Sequence, residues 1–544
     1  MSAASDLARL QQIIDASGVP EQIEMLLPIG VRPRQLAVRT LLLGILLTLS
    51  DCRPAHLARV HQALLCLGEA DKRRLGVIAR WTDGPHLLTY RQVERTYGLI
   101  VNALSGQRLD GQPSQTLSAV MDCLLEASVQ VLGVPEAQAL AIDWTDYESF
   151  ARPPRKKGEQ APSGQAQASQ STAEAPRQTE EQSTAGQTER GESEDEDRQA
   201  RRADPEGAWG HRKTNHPAKN EMFFGYYLQA ATIVKEESGP DVPELVRRIT
   251  LSSCEHDPPE QIVPVLGRMR SEGIEIGDLL ADPGYSYRQP ETFAAPMRAA
   301  GATLVMDLHP NDRGIKGTHQ GAILANGNLY CPAIPEALPS LGPLAPGANA
   351  EQQTAHDTKT AELHRYKLSP ISSPDPDGYH RACCPAVKGK IRCPLRPSSM
   401  SLPLKRPTIT SPPEHPPICC TQQTITVPAT VNAKTAQKHD YPSKAHRASY
   451  ARRTAAERSF SQVCDPASNN ISRGWSRLMG LTPNALMLTC AFIIANTRTA
   501  DAHAARQAEN QRRQACGLPP RKRTRRRRQT IHELAHPNAN APPT

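Results

Sequence analysis

Through the first 135 residues, apolar side chains return every three to four positions. Pro33–Leu49, His56–Gly68 and Leu117–Leu132 each carry this helical period. Ser50, Asp51 and Pro54 separate the first two, as a helix end and a new start would. Thr89–Val101 fits a further amphipathic helix. The pattern then changes. Ala139-Leu-Ala-Ile-Asp143 is a short apolar run closing on an acid, which reads as a buried strand with Asp143 at its C-terminal end. Glu221–Val234 and Leu245–Leu251 read as second and third strands. Asp278–Asp282 is another short strand ending in an acid, and Ala302–Met306 a last one. The helices Glu260–Ser271 and Glu291–Ala300 fall between them. Strands alternating with helices predict an α/β sheet.

Two long segments break this pattern. Residues 152–206 are Gln, Ser, Ala, Glu and Gly with almost no large apolar side chain, and 171–200 hold nine acidic against three basic residues. Such a stretch buries too little to offset its ordering entropy, so a disordered loop is expected. Residues 310–445 are rich in Pro and Cys and read as an irregular, β-leaning insertion. Short strands are predicted at Gly327–Cys331 and Gln423–Val427, and no helix of length. A long helix is predicted from about Arg447 to Cys464, then the segment Trp475–Gly480 and a buried helix over Asn484–Asn496. The division is therefore a helical N-terminal domain over 1–135, an α/β domain split into 136–151, 207–309 and 446–500, the loop 152–206, the insertion 310–445 and a basic disordered tail over 501–544.

Composition narrows the class. Apolar residues make up 38% of the 544 and aromatics 4%, with 48 prolines and 34 glycines, so one uniformly packed domain is excluded. The longest apolar run, Thr40–Leu49, lies between Arg39 and Asp51 and is far below the ~20 residues that span a bilayer. The N-terminal MSAASDLARLQQ lacks an apolar signal core, and a cytoplasmic location is expected. The thirteen cysteines then read as free thiols or metal ligands rather than disulfides. Cys331, Cys384 and Cys393 each precede a proline and suggest knuckles, but structural zinc normally uses C-x2–4-C pairs, which are missing; buried thiols are the expected state. The net charge of +8 conceals a more basic remainder once the acidic loop is set aside. Arg521–Arg528, nearly all basic, suits non-specific phosphate contact, as do the basic faces of the N-terminal helices in a helix-turn-helix-like reader. Trp209-Gly-His-Arg-Lys213 joins an aromatic to cations and suits stacking on DNA as well as it suits a solvated strand edge. No phosphate-binding loop or dinucleotide fingerprint is present.

Two acids at strand ends, Asp143 and Asp282, and a third, Glu457, on a basic helix suggest metal-assisted phosphoryl transfer. Converging carboxylates repel one another unless a hard cation such as Mg²⁺ lies between them. Spacing alone is weak, because 56 acids supply many such triplets. The local context is more specific. Tyr450-Ala-Arg-Arg-Thr-Ala-Ala-Glu457 has the form Y-x2-R-x3-E, and it accompanies Asp143-Trp-Thr145 and Asp282-Pro-Gly-Tyr285. Together these resemble the DDE transposases of bacterial insertion sequences, in the group with a Y-R-E-K signature. The resemblance runs from about Ala139 to Arg498.

The resemblance implies an RNase H-like mixed sheet with flanking helices and a β-rich insertion in the 174 residues between Asp282 and Glu457. Asp143 would lie on the first strand and Asp282 after the fourth. It implies Asp143, Asp282 and Glu457 as catalytic residues and ligands of Mg²⁺ (or Mn²⁺), and Tyr450 and Arg453 facing the DNA backbone. It implies hydrolysis at transposon ends followed by strand transfer into target DNA. The partners would be double-stranded DNA, as terminal inverted repeats and target, and a second copy of the chain in a homodimer, at the nucleoid. One position departs: the family's Lys is Cys464 here, with Lys444, Arg452 and Arg458 as nearby cations. Thr145, two residues beyond Asp143, would share its side of the strand, and Asp146 and Glu148 are rival first acids. Two other readings share these residues. One is a decayed or repurposed transposase acting only as a DNA-binding protein, toward which Cys464 and the long loop weigh. The other is a nuclease that stops at hydrolysis.

Overall fold

The computed structural model of the chain describes residues 3–29, 34–81, 84–106, 110–134, 136–151, 204–212, 221–375 and 378–521. The low-complexity loop up to residue 203, Lys213 and the arginine run beyond Arg521 lie outside them. No helix among the described residues is long and apolar enough to cross a membrane.

The fold is mixed α/β. The N-terminal helices are joined by a hairpin that periodicity did not reveal, β1 (Ile78–Trp81) with β2 (Gly84–Leu87). The central sheet has six strands: β3 (Leu140–Glu148), β4 (Ala208–Arg212), β5 (Glu221–Ile233), β6 (Val246–Ser253), β7 (Asp278–Ala281) and β8 (Thr303–Met306). The long β5 organises it. One edge pairs antiparallel with β3; the other pairs antiparallel with β4 and then β6, end to end. Beyond β3, β7 runs parallel to it and β8 parallel to β7. Asp143 is thus not at the end of its strand. The ladder continues to the Glu148–Gly225 pair because the thirteen-residue β5 supports it. What ends near Asp143 is the parallel neighbour β7, which stops at Ala281.

Helices cover both faces of this sheet. One face packs Leu140, Ile142, Ala231 and Ile233 against the helix Pro258–Ser271. The other carries Tyr226, Leu228 and Ala230 and shares one apolar cluster with the N-terminal helices and the helix Leu481–Ala515. The expected boundary at 135 therefore divides the sequence but not the core. The expected disordered tail also begins too early. The last helix has 35 residues and continues to Ala515. Its second half lacks an apolar stripe but is rich in strong helix formers. Arg9–Asp501 at 2.7 Å and Arg506–Asp241 at 3.0 Å tie it down.

The insertion forms two three-stranded antiparallel sheets. These are β9 (Ile315–His319), β10 (Ala322–Ala325) and β11 (Asn328–Tyr330), then β12 (Ser369–Pro370), β13 (His380–Cys383) and β14 (Ile425–Val427). The β-leaning expectation holds. The expected absence of a long helix does not, because Ala350–Arg365 is sixteen residues of helix. Only Thr360 and Leu363 of it are buried, so hydrophobic period could not find it; the Asn349/Gln352 capping box could have.

A buried charge network joins the N-terminal helices to the sheet. Arg248 on β6 is fully buried, 2.7 Å from Glu126 of the helix Gln115–Val131 and 2.6 Å from Glu272. Arg247 also holds Glu126, and Arg268 holds the buried Asp122. Removing one partner of such a network costs on the order of 3–5 kcal/mol, because the remaining charge stays buried. Arg248→Met is expected to lower the urea midpoint accordingly. An unchanged midpoint would mean that Arg247 and Arg268 satisfy both carboxylates alone.

Candidate active site

Register brings the first two acids together. The last β3–β7 pair is Ala141 with Leu280. Two residues further along each chain stand Asp143 and Asp282, and the two-residue period of the pleat keeps Asp143 on the face of Ala139 and Ala141. Asp282 leaves β7 as the N-cap of the short helix Pro283–Ser286, its Oδ1 accepting N–H groups from Gly284 at 2.9 Å and Tyr285 at 3.3 Å. Gly284 is required here. A Cβ on it would lie 2.2 Å from the Trp144 ring. That ring meets Tyr285 edge-on at 4.7 Å, and the Tyr285 hydroxyl donates to Gln229 at 3.2 Å. The Asp-Pro-Gly-Tyr sequence thus caps, turns, makes room and anchors, in that order.

Glu457 arrives on the helix Thr454–Val463. The single helix expected from Arg447 to Cys464 is broken. Lys444–Tyr450 ends, Ala451–Arg453 forms one 3-10 turn, and the second helix follows. Ala455 and Ala456 pack with Ala139, Ala141, Leu280 and Val305, so the helix backbone lies close to the sheet. Arg453 bridges the acids: Nη1 donates to Asp143 Oδ2 at 3.2 Å, and Nη2 pairs with Glu457. It is turned inward rather than toward solvent. Tyr450 is half-buried, its ring 5.8 Å from the Arg453 guanidinium and stacked on His446. Burial raises its phenol.

The electrostatics follow from this crowding. Burial pushes the Asp143 carboxyl up to about 6; Asp282 and Glu457 push it the same way, and Arg453 opposes them. Burial also raises Asp282, against Arg453 and the two backbone N–H groups. Among the described residues, no three His, Cys, Asp or Glu side chains already enclose an ion. At this site the Arg453 guanidinium lies between two of the carboxylates.

An open groove of about 1060 Å³ runs past Asp143 and Asp282. Thr145 lines it, two residues on from Asp143. Asp146 also borders it, but with Glu148 it pairs with Arg212. That gives Arg212 of the Trp209 segment acidic partners, while Trp209 meets Phe224 edge-on at 5.9 Å. Tyr287, Arg288, His256 and His309 line the same groove and were missed in the sequence. The first two directly follow the Asp282 motif, and that proximity was the available signal. The substitutes considered for the family's Lys are placed elsewhere. Arg452 is buried 2.6 Å from Asp278, Arg458 pairs with Glu244, and Lys444 is exposed. Cys464 itself packs against the large core cluster, and burial lifts its thiol to about 11. This position faces apolar neighbours.

No protein-family model, curated protein or solved structure matches the chain.

Asp143 supplies a pH signature. Its folded value lies above the ordinary 3.8, so the folded chain binds the extra proton between about 4 and 6. Stability is lost as pH rises through that window, and the full cost is present above it. Asp143→Asn should therefore be the more stable protein at pH 8, by up to about 3 kcal/mol, with the gain shrinking as pH falls toward 4. Equal urea midpoints at pH 8 would show that Arg453 offsets the burial completely.

Proposed function

We propose that the chain is a DDE transposase with an RNase H-like catalytic core. In this reading it cleaves DNA at transposon ends and transfers the freed strand into target DNA. One observation carries the reading. Three acids from three separate elements, up to 314 residues apart in sequence, meet around one guanidinium at the mouth of an open groove. The sheet order adds support. With the short β4 set aside, β3 is the first strand and β7 the fourth, the places the RNase H-like reading gives to the first two acids. The strands β3, β5 and β6 are successively antiparallel, and β7 and β8 run parallel to β3.

The donor set fits Mg²⁺, with Mn²⁺ using the same ligands. Asp143, Asp282 and Glu457 offer hard oxygens only, and the first two resist ionising without a nearby cation. When bound, such ions would activate an attacking oxygen and stabilise a leaving one. The chain's own residues do the rest. Asp282 is held rigid by its two backbone donors, so its free oxygen keeps a fixed direction. The planar fork of Arg453 suits a phosphate once a stronger cation takes the carboxylates. Tyr287 and Arg288 on the groove wall offer a stacking surface and a charge for the backbone. Double-stranded DNA, as inverted repeats and target, is the proposed partner, with two copies of the chain acting on paired ends.

The test is strand cleavage of labelled duplexes made from the inverted repeats flanking the coding region, with Mg²⁺. Wild type is compared with Asp143→Asn, Asp282→Asn and Glu457→Gln. The expected result is a metal-dependent nick at the element end, reduced at least about 100-fold in each variant, and joined products once target DNA is added. Cleavage that persists in Asp282→Asn would remove that residue from the site. Salt-sensitive binding by wild type without any cleavage would favour the DNA-binding reading, and a nick without joining would favour a nuclease.

A further inference from the structure

The insertion contains a second cluster that the acid chemistry does not use. Cys331 follows β11, Cys384 follows β13, Cys393 lies in the next loop and Cys420 in the short helix Ile418–Thr421. All four are buried, at 3 to 6% exposure. The first three share one local structure, a Cys-Pro-x-x turn in which the cysteine carbonyl accepts the N–H of the third residue on. The distances are 3.1 Å from Ile334 to Cys331, 3.0 Å from Val387 to Cys384 and 2.9 Å from Arg396 to Cys393. In each turn, backbone N–H groups also face the sulfur: Ala333 toward Cys331, Ala386 and Val387 toward Cys384, Leu395 and Arg396 toward Cys393. A neutral buried thiol has little use for such donors, whereas a thiolate is stabilised by them. The same device three times marks three sulfurs built to carry negative charge.

The turns face one another. Cys331 lies within electrostatic reach of Cys384, Cys393 and Cys420, and Cys384 and Cys393 each lie within reach of Cys420. Cys331, Cys384 and Cys393 belong to one apolar cluster, Cys420 to the next, and Leu395 packs against both. We propose that Cys331, Cys384, Cys393 and Cys420 are the four thiolate ligands of a structural zinc ion that ties the two small sheets of the insertion together. Soft sulfur donors with no carboxylate among them select zinc over the hard cation of the acid site. The sulfurs stand as neighbours and not yet as a closed cage; metal binding draws them in. The insertion has the anatomy that needs such a tie. Its strands are two to five residues long and its two cores are small. The C-x2–4-C pairs absent from the sequence are replaced by single knuckles that the fold brings together from four places.

The test uses the full-length chain. Purified from zinc-replete cells without chelator, it should carry about one zinc per chain by mass spectrometry of the metal content. Cys384→Ser and Cys393→Ser should each lose most of it, while Cys66→Ser and Cys419→Ser keep it. Wild type stripped of metal and titrated with Co²⁺ reports the ligands without any substitution. Strong tetrahedral visible bands with a thiolate charge-transfer band in the near ultraviolet are expected. Less than about a tenth of a zinc per chain, a cobalt spectrum without thiolate charge transfer, or zinc lost in Cys419→Ser but kept in Cys420→Ser would each overturn the assignment.

Discussion

The site depends on how closely the helix Thr454–Val463 can approach the sheet. Ala455 and Ala456 face Ala139 and Ala141, and the contact is fully buried. Methyl against methyl lets the backbones come nearer than larger side chains would allow. Glu457 follows the alanine pair directly, and Asp143 lies two residues beyond Ala141, so the same contact sets both the helix height and the distance between the acids. A larger residue at any of these four positions would strain a packed interface, and the strain would be relieved by moving the helix. Packing, rather than attraction between the acids and their surroundings, is what holds two repelling groups in place.

That repulsion has an internal answer. Arg453 lies one turn before Glu457 and reaches both it and Asp143. Two of the three negative charges therefore share a cation supplied by the chain. The guanidinium does not remove the cost, since the Asp143 carboxyl remains raised despite it. Such a site is less stable than its surroundings and selective for a stronger cation. It also makes the Y-x2-R-x3-E spacing physically intelligible. The 3-10 turn Ala451–Arg453 lets Tyr450 meet the guanidinium while Arg453 points at the acids.

Much of this was legible in the sequence, for identifiable reasons. The strands were found because their apolar runs are short and bounded, and Asp143 and Asp282 were found because each interrupts such a run. What misled was taking the end of an apolar run for the end of a strand; β3 continues because its antiparallel partner does. The helix Ala350–Arg365 was missed because it is solvated nearly all round, and the extent of the last helix because its second half has no apolar face. The shared core of the N-terminal helices and the sheet could not be read at all, because it depends on contacts such as Arg248 with Glu126 across more than a hundred residues. The cysteine knuckles were visible singly, but their convergence exists only in three dimensions.

The insertion raises a last question of order. It separates β8 from the helix of Glu457, so the chain must return to the sheet with that acid correctly placed. The return is clamped before the helix begins. Lys438 lies 2.7 Å from Asp278 at the start of β7, and Arg452 reaches the same carboxylate at 2.6 Å. The N–H of Lys438 donates to Leu304 of β8 at 3.0 Å, and His446 meets the carbonyl of Met306 at 2.9 Å. Arg298 caps the carbonyl of Ala436 at 2.6 Å. These contacts bind residues 436–452 to β7, β8 and the helix Ala294–Ala299, independently of what the insertion does. The acid site is thus insulated from the insertion by a belt of buried ion pairs. The insertion, receiving little support from the sheet, must find its stability within itself, which is why its cysteines rather than its apolar residues deserve the structural role.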